Sequence, residues 1–234
     1  LKTNYAPVII LAGGKGTRLR PFAKILPKPL IPINNKTLIE NIIQKFKEEN
    51  FNHFIFTLNY KKNILESFLK GLNYKNVILE TFHEKKPLGT SGSLSILKKL
   101  RYNEFIVTNC DMYIDVDYKK ILQFHKKNKN DLTIISSTYE MQIPYGIIKK
   151  NKSLKFLQIQ EKPSFKSNIN LGSYIVSKKI FNLLTYNKYE DMNKTIMRAK
   201  KRGLNIGLYN IDKDKWYDYG DWRKFNKNTT NFLN

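Results

Sequence analysis

Two absences bound this 234-residue chain before any motif is read. It has a single cysteine, Cys110, so no disulfide can close within it. No segment approaches the roughly 20 consecutive apolar residues that a membrane helix needs, and no charged-then-apolar signal segment opens the chain. A disulfide scaffold is thereby excluded, a soluble globular protein with no membrane partner is expected, and the cytoplasm becomes the expected compartment. Acidic residues are also scarce: 19 Asp plus Glu stand against 42 Lys plus Arg, a net charge of +23. Taken alone, that charge fits a polyanion binder. The lysines, however, are scattered through helices and turns among abundant Asn and Ile, as a base-composition bias would leave them, and no run forms a dedicated arm. No nucleic acid partner is expected, although the charge favours encounter with nucleoside triphosphates and sugar phosphates. The three histidines, His53, His83 and His125, are dispersed and do not read as a metal cluster. With no internal repeat, low-complexity tract or Pro/Gly/Ser linker, residues 1–234 read as a single domain. The chain opens on Leu1 rather than a methionine, a few residues before a core strand, so an upstream segment is expected to have been removed.

What is present is an alternation of apolar strand-like runs with helix-like segments, the pattern of an α/β fold with a mainly parallel, Rossmann-like sheet. Strand 7–12 is β-branched and apolar on both faces, as a buried parallel strand should be. The periodicity then predicts a helix near 37–50, strand 53–59, helix 61–70, strand 76–82, a helix near 91–100 and strand 104–109. A helix near 118–128 and strand 131–138 follow. Residues 145–148, 154–160 and 171–176 read as antiparallel or mixed additions, followed by helices near 178–184 and 190–202, strand 205–210, and a last helix from about Asp221.

The chemistry is concentrated where strands end. Leu11, Ala12, Gly13, Gly14, Lys15, Gly16, Thr17, Arg18, Leu19 and Arg20 join the first strand to a glycine-rich, arginine-bearing loop, followed by Pro27, Lys28 and Pro29. Glycines there let several N–H groups approach phosphate oxygens while Lys15, Arg18 and Arg20 supply charge. A bare G-G-x-G is also an ordinary turn, and this run is neither the Walker pattern nor the dinucleotide G-x-G-x-x-G. Asp111 follows the strand ending at Asn109. At that position a carboxylate either caps a turn or holds Mg²⁺, which prefers oxygen ligands and bridges to phosphate. Asp115 and Asp117 read as turn and N-cap residues before Tyr118. Pro87, Leu88, Gly89, Thr90, Ser91, Gly92 and Ser93 form a second glycine-bearing loop leading into a helix, whose amides can serve a base or ribose.

These motifs, in this order, resemble those of the sugar-1-phosphate nucleotidyltransferases. Residues 11–29 match the family's L-A-G-G-x-G-T-R-L…P-K-P signature, with Ala23 where threonine is usual. The resemblance implies a doubly wound, GT-A-like fold and assigns roles by position. Leu11, Ala12, Gly13, Gly14, Gly16, Thr17, Pro87, Gly89, Thr90 and Asn109 bind the nucleotide. Asp111 and Asp218, the latter in a W-x-D-x-G segment, share Mg²⁺, while Asp221 departs from the family pattern and is expected to cap the last helix. Tyr145, Gly146, Glu161, Lys162, Asn170 and Gly172 form the sugar-phosphate site, although Glu161-Lys162-Pro163 taken alone is an exposed turn. The P-L-G-T-x-G loop favours GTP.

The implied reaction is attack by a sugar 1-phosphate oxygen on the α-phosphorus of a nucleoside triphosphate, expelling pyrophosphate with no covalent enzyme nucleophile. Arg18 and Mg²⁺ would serve the transition state, Lys28 would bridge the phosphates and Lys162 would anchor the sugar phosphate. Thr108-Asn109-Cys110-Asp111 and the string from Pro21 to Pro32 resemble a bacterial subgroup in which this domain follows CBS regulatory modules. That subgroup includes glucosamine-1-phosphate guanylyltransferases of legionaminic acid synthesis. A uridylyl- or cytidylyltransferase, an acceptor that is a neutral hexose, mannose or heptose phosphate, and a non-catalytic nucleotide-sugar sensor with a site disabled at Ala23 or Cys110 are the competing readings. The sequence leaves the oligomeric state open.

Overall fold

The computed structural model describes residues 5–19, 21–33 and 35–220. Arg20, the helix expected from Asp221 and Asp221's role as its cap lie outside the described residues.

The first strand, β1 (Val8–Leu11), is buried along its whole length. Short 3₁₀ turns and a two-residue pair, β2 (Pro32–Ile33) with β3 (Lys36–Thr37), lead to α1 (Leu38–Glu48). A capping box starts α1: the Glu40 amide donates to Thr37 Oγ1 at 3.3 Å while the Thr37 amide donates to Glu40 Oε2 at 2.8 Å. Leu38, Ile39, Ile42, Ile43 and Phe46 recur at helical spacing and bury one face. There follow β4 (His53–Leu58), α2 (Lys62–Gly71), β5 (Ile78–His83), α3 (Gly89–Ser95), β6 (Glu104–Asn109), β7 (Met112–Ile114), α4 (Tyr118–Lys127) and β8 (Leu132–Gln142). The chain continues through β9 (Ile147–Lys150), β10 (Phe156–Gln160), β11 (Ser164–Ser177), α5 (Lys178–Leu183), α6 (Met192–Lys201), β12 (Ile206–Ile211) and β13 (Trp216–Asp218).

The main sheet has seven strands in the order β12-β8-β11-β6-β1-β4-β5. It is parallel except where β11 runs antiparallel between β6 and β8. Residues of β1 alternate between two cores. Val8 and Ile10 pack with α1, α2 and α4 on one face, and Ile9 and Leu11 with α3, α5 and α6 on the other. That two-sided burial is why the first strand reads as unbroken apolar sequence. The fold is the mixed, mainly parallel α/β sheet expected. Because β1 is flanked by β4 on one side and β6 on the other, the strand order reverses at β1, and a crevice opens past the ends of β1 and β6.

Three elements differ from the sequence pattern. The helix expected near 91–100 is α3, starting at Gly89 and ending at Ser95, so Gly89 and Thr90 lie inside its first turn rather than in a loop before it. Strand 131–138 continues to Gln142, and the strand expected at 171–176 begins at Ser164. Together these extensions form a ribbon whose paired residues alternate in character, Met141 with Phe165 on one face and Glu140 with Lys166 on the other. The ribbon and the β9–β10 hairpin stand out from the core as a largely exposed arm. Its polar half masks the strand signal, which becomes apolar only from Leu171 onward.

Candidate functional site

The glycine loop leaves β1 over Gly13 and Gly14 and turns at Gly16, whose φ of +61° belongs to the left-handed region that glycine enters without strain. Gly16 is also tight for space: a Cβ there would lie 3.1 Å from Lys28 Cβ and 3.3 Å from Ala23 Cβ. Ala23 is therefore a buried packing residue beneath the loop. The Leu19 amide closes the following turn on the Gly16 carbonyl at 2.9 Å. A cleft of about 320 Å³ opens beside this loop, lined by Leu11, Gly13, Gly14, Gly16, Lys28, Pro87, Gly89, Thr90, Asn109 and Asp111. Of the expected nucleotide-binding residues, Ala12 is instead buried in the core and Thr17 is exposed on the turn beyond; neither lines the cleft.

A second cavity of about 370 Å³ adjoins the first and is lined by Arg18, Asn170, Gly172 and Asp218. Thr90, Asn109, Asp111 and Asp191 belong to both walls. The two carboxylates expected to act together are brought together. Short strand β13 pairs antiparallel with β7, setting Asp218 opposite Met112, and the Tyr219 amide donates to the Asp111 carbonyl at 2.9 Å. Gly220, at the meeting point, donates its amide to Asp218 Oδ1 at 2.8 Å. A Cβ on Gly220 would lie 2.6 Å from Asp111 Oδ2, 2.8 Å from Asp218 Oδ1 and 3.2 Å from Lys28 Nζ. The buried Lys28 ammonium donates to Asp111 Oδ2, pairing two charges that neither could carry alone at that depth. Among the described residues no three His, Cys, Asp or Glu side chains gather as a closed metal cage. A two-carboxylate donor set fits Mg²⁺, which keeps several waters and takes further oxygens from phosphate.

In the wall of the glycine-loop cleft stands Glu84, just past β5, which the sequence pattern did not single out. It is 5% exposed and accepts from Ser93 Oγ at 2.6 Å and from the Leu88 amide at 3.1 Å. Burial pushes its carboxyl above the ordinary glutamate range, against those hydrogen bonds. A Cβ on Gly13 would sit 2.9 Å from Glu84 Oε1, so that glycine brings the glycine-rich loop against the carboxylate. Glu84 thereby ties β1's loop to α3. Its position three residues before Pro87, at a parallel strand's carboxyl end, was the available signal.

The strap before α6 holds α3 from the other side. The Ser91 and Gly92 amides donate to the Glu190 carbonyl at 3.1 and 3.0 Å, and the Glu190 amide donates to the Leu88 carbonyl at 2.8 Å. Arg198 grips the Glu190 carboxylate with two bonds of 2.7 and 2.8 Å. The amides of Ser91 and Gly92, expected to be available to a ligand, are thus engaged within the protein, leaving the Gly89–Thr90 end of the loop to face the cleft.

Asn170 and Gly172 occupy an irregular stretch of β11, where the pairing with β8 shifts register between Asn170 and Tyr174. Asn170 Oδ1 accepts from the Gly172 amide at 2.9 Å, and Asn170 Nδ2 donates to Tyr174 Oη at 2.8 Å. Gly172 has φ +70°, and a Cβ there would lie 2.3 Å from Asn109 Nδ2, so the last residue of β6 and the bulge of β11 interlock. Tyr145, Gly146, Glu161 and Lys162 lie apart, on the arm. Gly146 and Glu161 touch, a Cβ at Gly146 falling 3.0 Å from Glu161 Oε2, and Lys162 Nζ lies 3.9 Å from Glu161 Oε1. Gly146, Glu161 and Lys162 are thus assembled with one another, Tyr145 is exposed beside Gly146, and none of the four lines either cavity.

Cys110, a departure from the family pattern, is buried in the core below the site, and burial pushes its thiol up to about 12. Asp117 caps α4 by accepting the Lys120 amide at 3.0 Å, and Asp115 pairs with Lys45 at 2.8 Å.

Comparison with known proteins agrees with this architecture. The chain is 31% identical over 233 residues to a mannose-1-phosphate guanyltransferase of Yarrowia lipolytica, a match covering 96% of this chain and 63% of that protein. It spans less than two thirds of that relative's length. Among solved structures, HddC from Yersinia pseudotuberculosis superposes with a TM-score of 0.75 at 27% identity, covering 97% of this chain and all of that one. The same protein complexed with GMP-PN superposes with a TM-score of 0.73 at 28% identity, over the same shares of the two chains. No helix among the described residues is long and apolar enough to cross a membrane. The family profile described as nucleotidyl transferase matches residues 7–234, and the chain belongs to that family.

Proposed function

We propose that the protein is a Mg²⁺-dependent sugar-1-phosphate guanylyltransferase that joins GTP to glucosamine 1-phosphate and releases pyrophosphate. The observation that carries this reading is the meeting of Lys28, Asp111 and Asp218 at Gly220, where a glycine-loop cleft and a second polar cavity share a wall. Two substrates bound side by side in those cavities would meet at that wall. Guanyl transfer is supported by the names of the curated relatives and by the guanine nucleotide complex of the HddC structure.

The step is a displacement at phosphorus. A phosphate oxygen of the sugar 1-phosphate forms the new P–O bond to the α-phosphorus, and the bond from that phosphorus to the bridging oxygen breaks, with pyrophosphate leaving on that electron pair. The attacking oxygen is already ionised, so no side chain need remove a proton, and catalysis rests on alignment and charge stabilisation. Arg18, in the wall of the second cavity, and Lys28, in the wall of the first, would oppose the charge of the two phosphate groups. Asp111 and Asp218 would hold Mg²⁺, which when bound would neutralise charge on the phosphoryl oxygens. Glu161 and Lys162 join the sugar site if the arm that carries them folds over the second cavity.

A second reading, mannose 1-phosphate as acceptor, is favoured by the substrate in the relatives' names. Both readings are tested by pyrophosphate release with GTP, UTP, dTTP and CTP crossed against glucosamine, N-acetylglucosamine, glucose and mannose 1-phosphates. Turnover confined to GTP with glucosamine 1-phosphate supports the first, and GTP with mannose 1-phosphate the second. Nucleotide-sugar binding without pyrophosphate release would replace both with a sensor.

A further inference from the structure

Asp191 belongs to both cavities, together with Thr90, Asn109 and Asp111, and no motif pointed to it. It stands at the N-cap of α6, where an aspartate ordinarily turns its carboxylate back to accept an amide of the first helical turn. Here it makes no such bond. The Met192 amide donates to Thr90 Oγ1 at 2.7 Å, and the Lys194 and Thr195 amides reach the backbone carbonyl of Asp191 at 3.1 and 3.4 Å. The carboxylate is instead held by the Tyr189 hydroxyl, which lies 3.1 Å from Oδ1 and 3.3 Å from Oδ2. Gly89 leaves the room this needs, since a Cβ there would lie 3.0 Å from Asp191 Oδ1. Among the described residues no Lys or Arg pairs with Asp191, although the chain carries 42 such side chains.

An uncompensated carboxylate in the wall of a cavity that receives a phosphate works against binding, unless the ligand itself brings a positive charge to meet it. A neutral hydroxyl would satisfy one lone pair and leave the charge unbalanced. An ammonium would satisfy both, through a charge-assisted hydrogen bond stronger than a neutral one. We propose that Asp191, steadied by Tyr189, is the specificity-determining residue of the acceptor site and that it pairs with a cationic amino group on the sugar. The acceptor class is therefore an amino-sugar 1-phosphate with a free amine. This inference rests on the transferase reading above and adds to it the residue that tells an amine from a hydroxyl or an amide.

The test is steady-state pyrophosphate release at saturating GTP with glucosamine 1-phosphate, N-acetylglucosamine 1-phosphate and mannose 1-phosphate, in the wild type, Asp191→Asn and Tyr189→Phe. Asparagine keeps the shape, and because the side chain makes no cap bond, α6 is expected to retain its start; equal thermal midpoints check this. The wild type is expected to favour the free amine by at least about tenfold in kcat/KM. Asp191→Asn should reduce the ratio of amino to neutral sugar by about tenfold or more, chiefly through KM for the amino sugar. Tyr189→Phe, which leaves the charge in place, should reduce it less. A wild-type enzyme that uses the acetylated or neutral sugar equally well overturns the inference, as does an Asp191→Asn variant with an unchanged ratio; in both cases the transferase reading stands. Failure of every sugar phosphate to release pyrophosphate overturns that reading and this one together.

Discussion

Gly220→Ala places a single methyl group where the two carboxylates and the buried ammonium converge. Its backbone is outside the left-handed region, so alanine brings no dihedral strain, and the whole effect is one of space. The new Cβ would begin 2.6 Å from Asp111 Oδ2 and 2.8 Å from Asp218 Oδ1, while ordinary contact begins near 3.4 Å. Both carboxylates must therefore withdraw, the nearer by most of an ångström, and Asp111 must do so against its bond to Lys28. Overpacking of this kind costs about 1–3 kcal/mol. The low end applies here, because carboxylates bordering a cavity can rotate away, and the thermal midpoint should fall by no more than about 4 °C. The catalytic effect should be far larger. A displacement approaching 1 Å at a positioned group costs about 10²-fold in rate, equivalent to about 2.7 kcal/mol of barrier. The assay is pyrophosphate release alongside thermal unfolding, with Gly71→Ala as the comparison. A Cβ at Gly71 meets nothing within 4 Å, so that change should leave turnover unaltered. If Gly220→Ala turns over within twofold of wild type, the convergence at Gly220 is irrelevant to the chemistry and the account of the carboxylate pair fails.

Three other outcomes follow from the same geometry. Gly172→Ala combines a φ of +70° with a 2.3 Å approach to Asn109 Nδ2 and should lower stability by about 2 kcal/mol or more, measured by urea unfolding; a neutral result would mean that β11 and Asn109 do not interlock. Burial raises the carboxyls of Glu84 and Glu49, so over the interval from the ordinary glutamate range up to the raised value the folded chain binds more protons than the unfolded one. The contribution of these groups to stability is present at the acid end and declines as pH rises through that interval; Glu84→Gln should flatten the decline above the ordinary glutamate range, and a wild-type-to-variant difference independent of pH would contradict this. Cys110, buried and with its thiol pushed up to about 12, should resist alkylation in the folded protein and react at an ordinary rate in denaturant, as followed by mass spectrometry; rapid native labelling would place it outside the core.

Much of this molecule was legible in its sequence because the central strands and the helices packed on them obey simple periods. β1 and β4 are buried on both faces and read as continuous apolar runs, while α1 announces itself with a capping box and a helical stripe. The arm was harder to read. From Ser164 to Asn170, β11 has one polar face and pairs only with the outer part of β8, so no apolar run marks it until it enters the core at Leu171. The start of α3 was displaced because Gly89 and Gly92, poor helix formers, are held by the backbone of Glu190, a contact almost a hundred residues distant that local pattern cannot encode. Within the site, the pairing of Asp111 with Asp218 came from family resemblance. No spacing rule would have found it, since β13 returns to β7 after about a hundred residues. Glu84 and Asp191 escaped notice because each is distinguished only by its contacts, a buried serine and an unused cap, and Gly220 was read only as part of the W-x-D-x-G segment.

Pyrophosphate release from GTP and a sugar 1-phosphate, with and without Mg²⁺, in the wild type, Asp111→Asn and Asp218→Asn, tests the central claim most directly. The account expects Mg²⁺-dependent turnover that falls by at least about 10²-fold in each variant while the thermal midpoint stays close to that of the wild type. Undiminished turnover in either folded variant would contradict it.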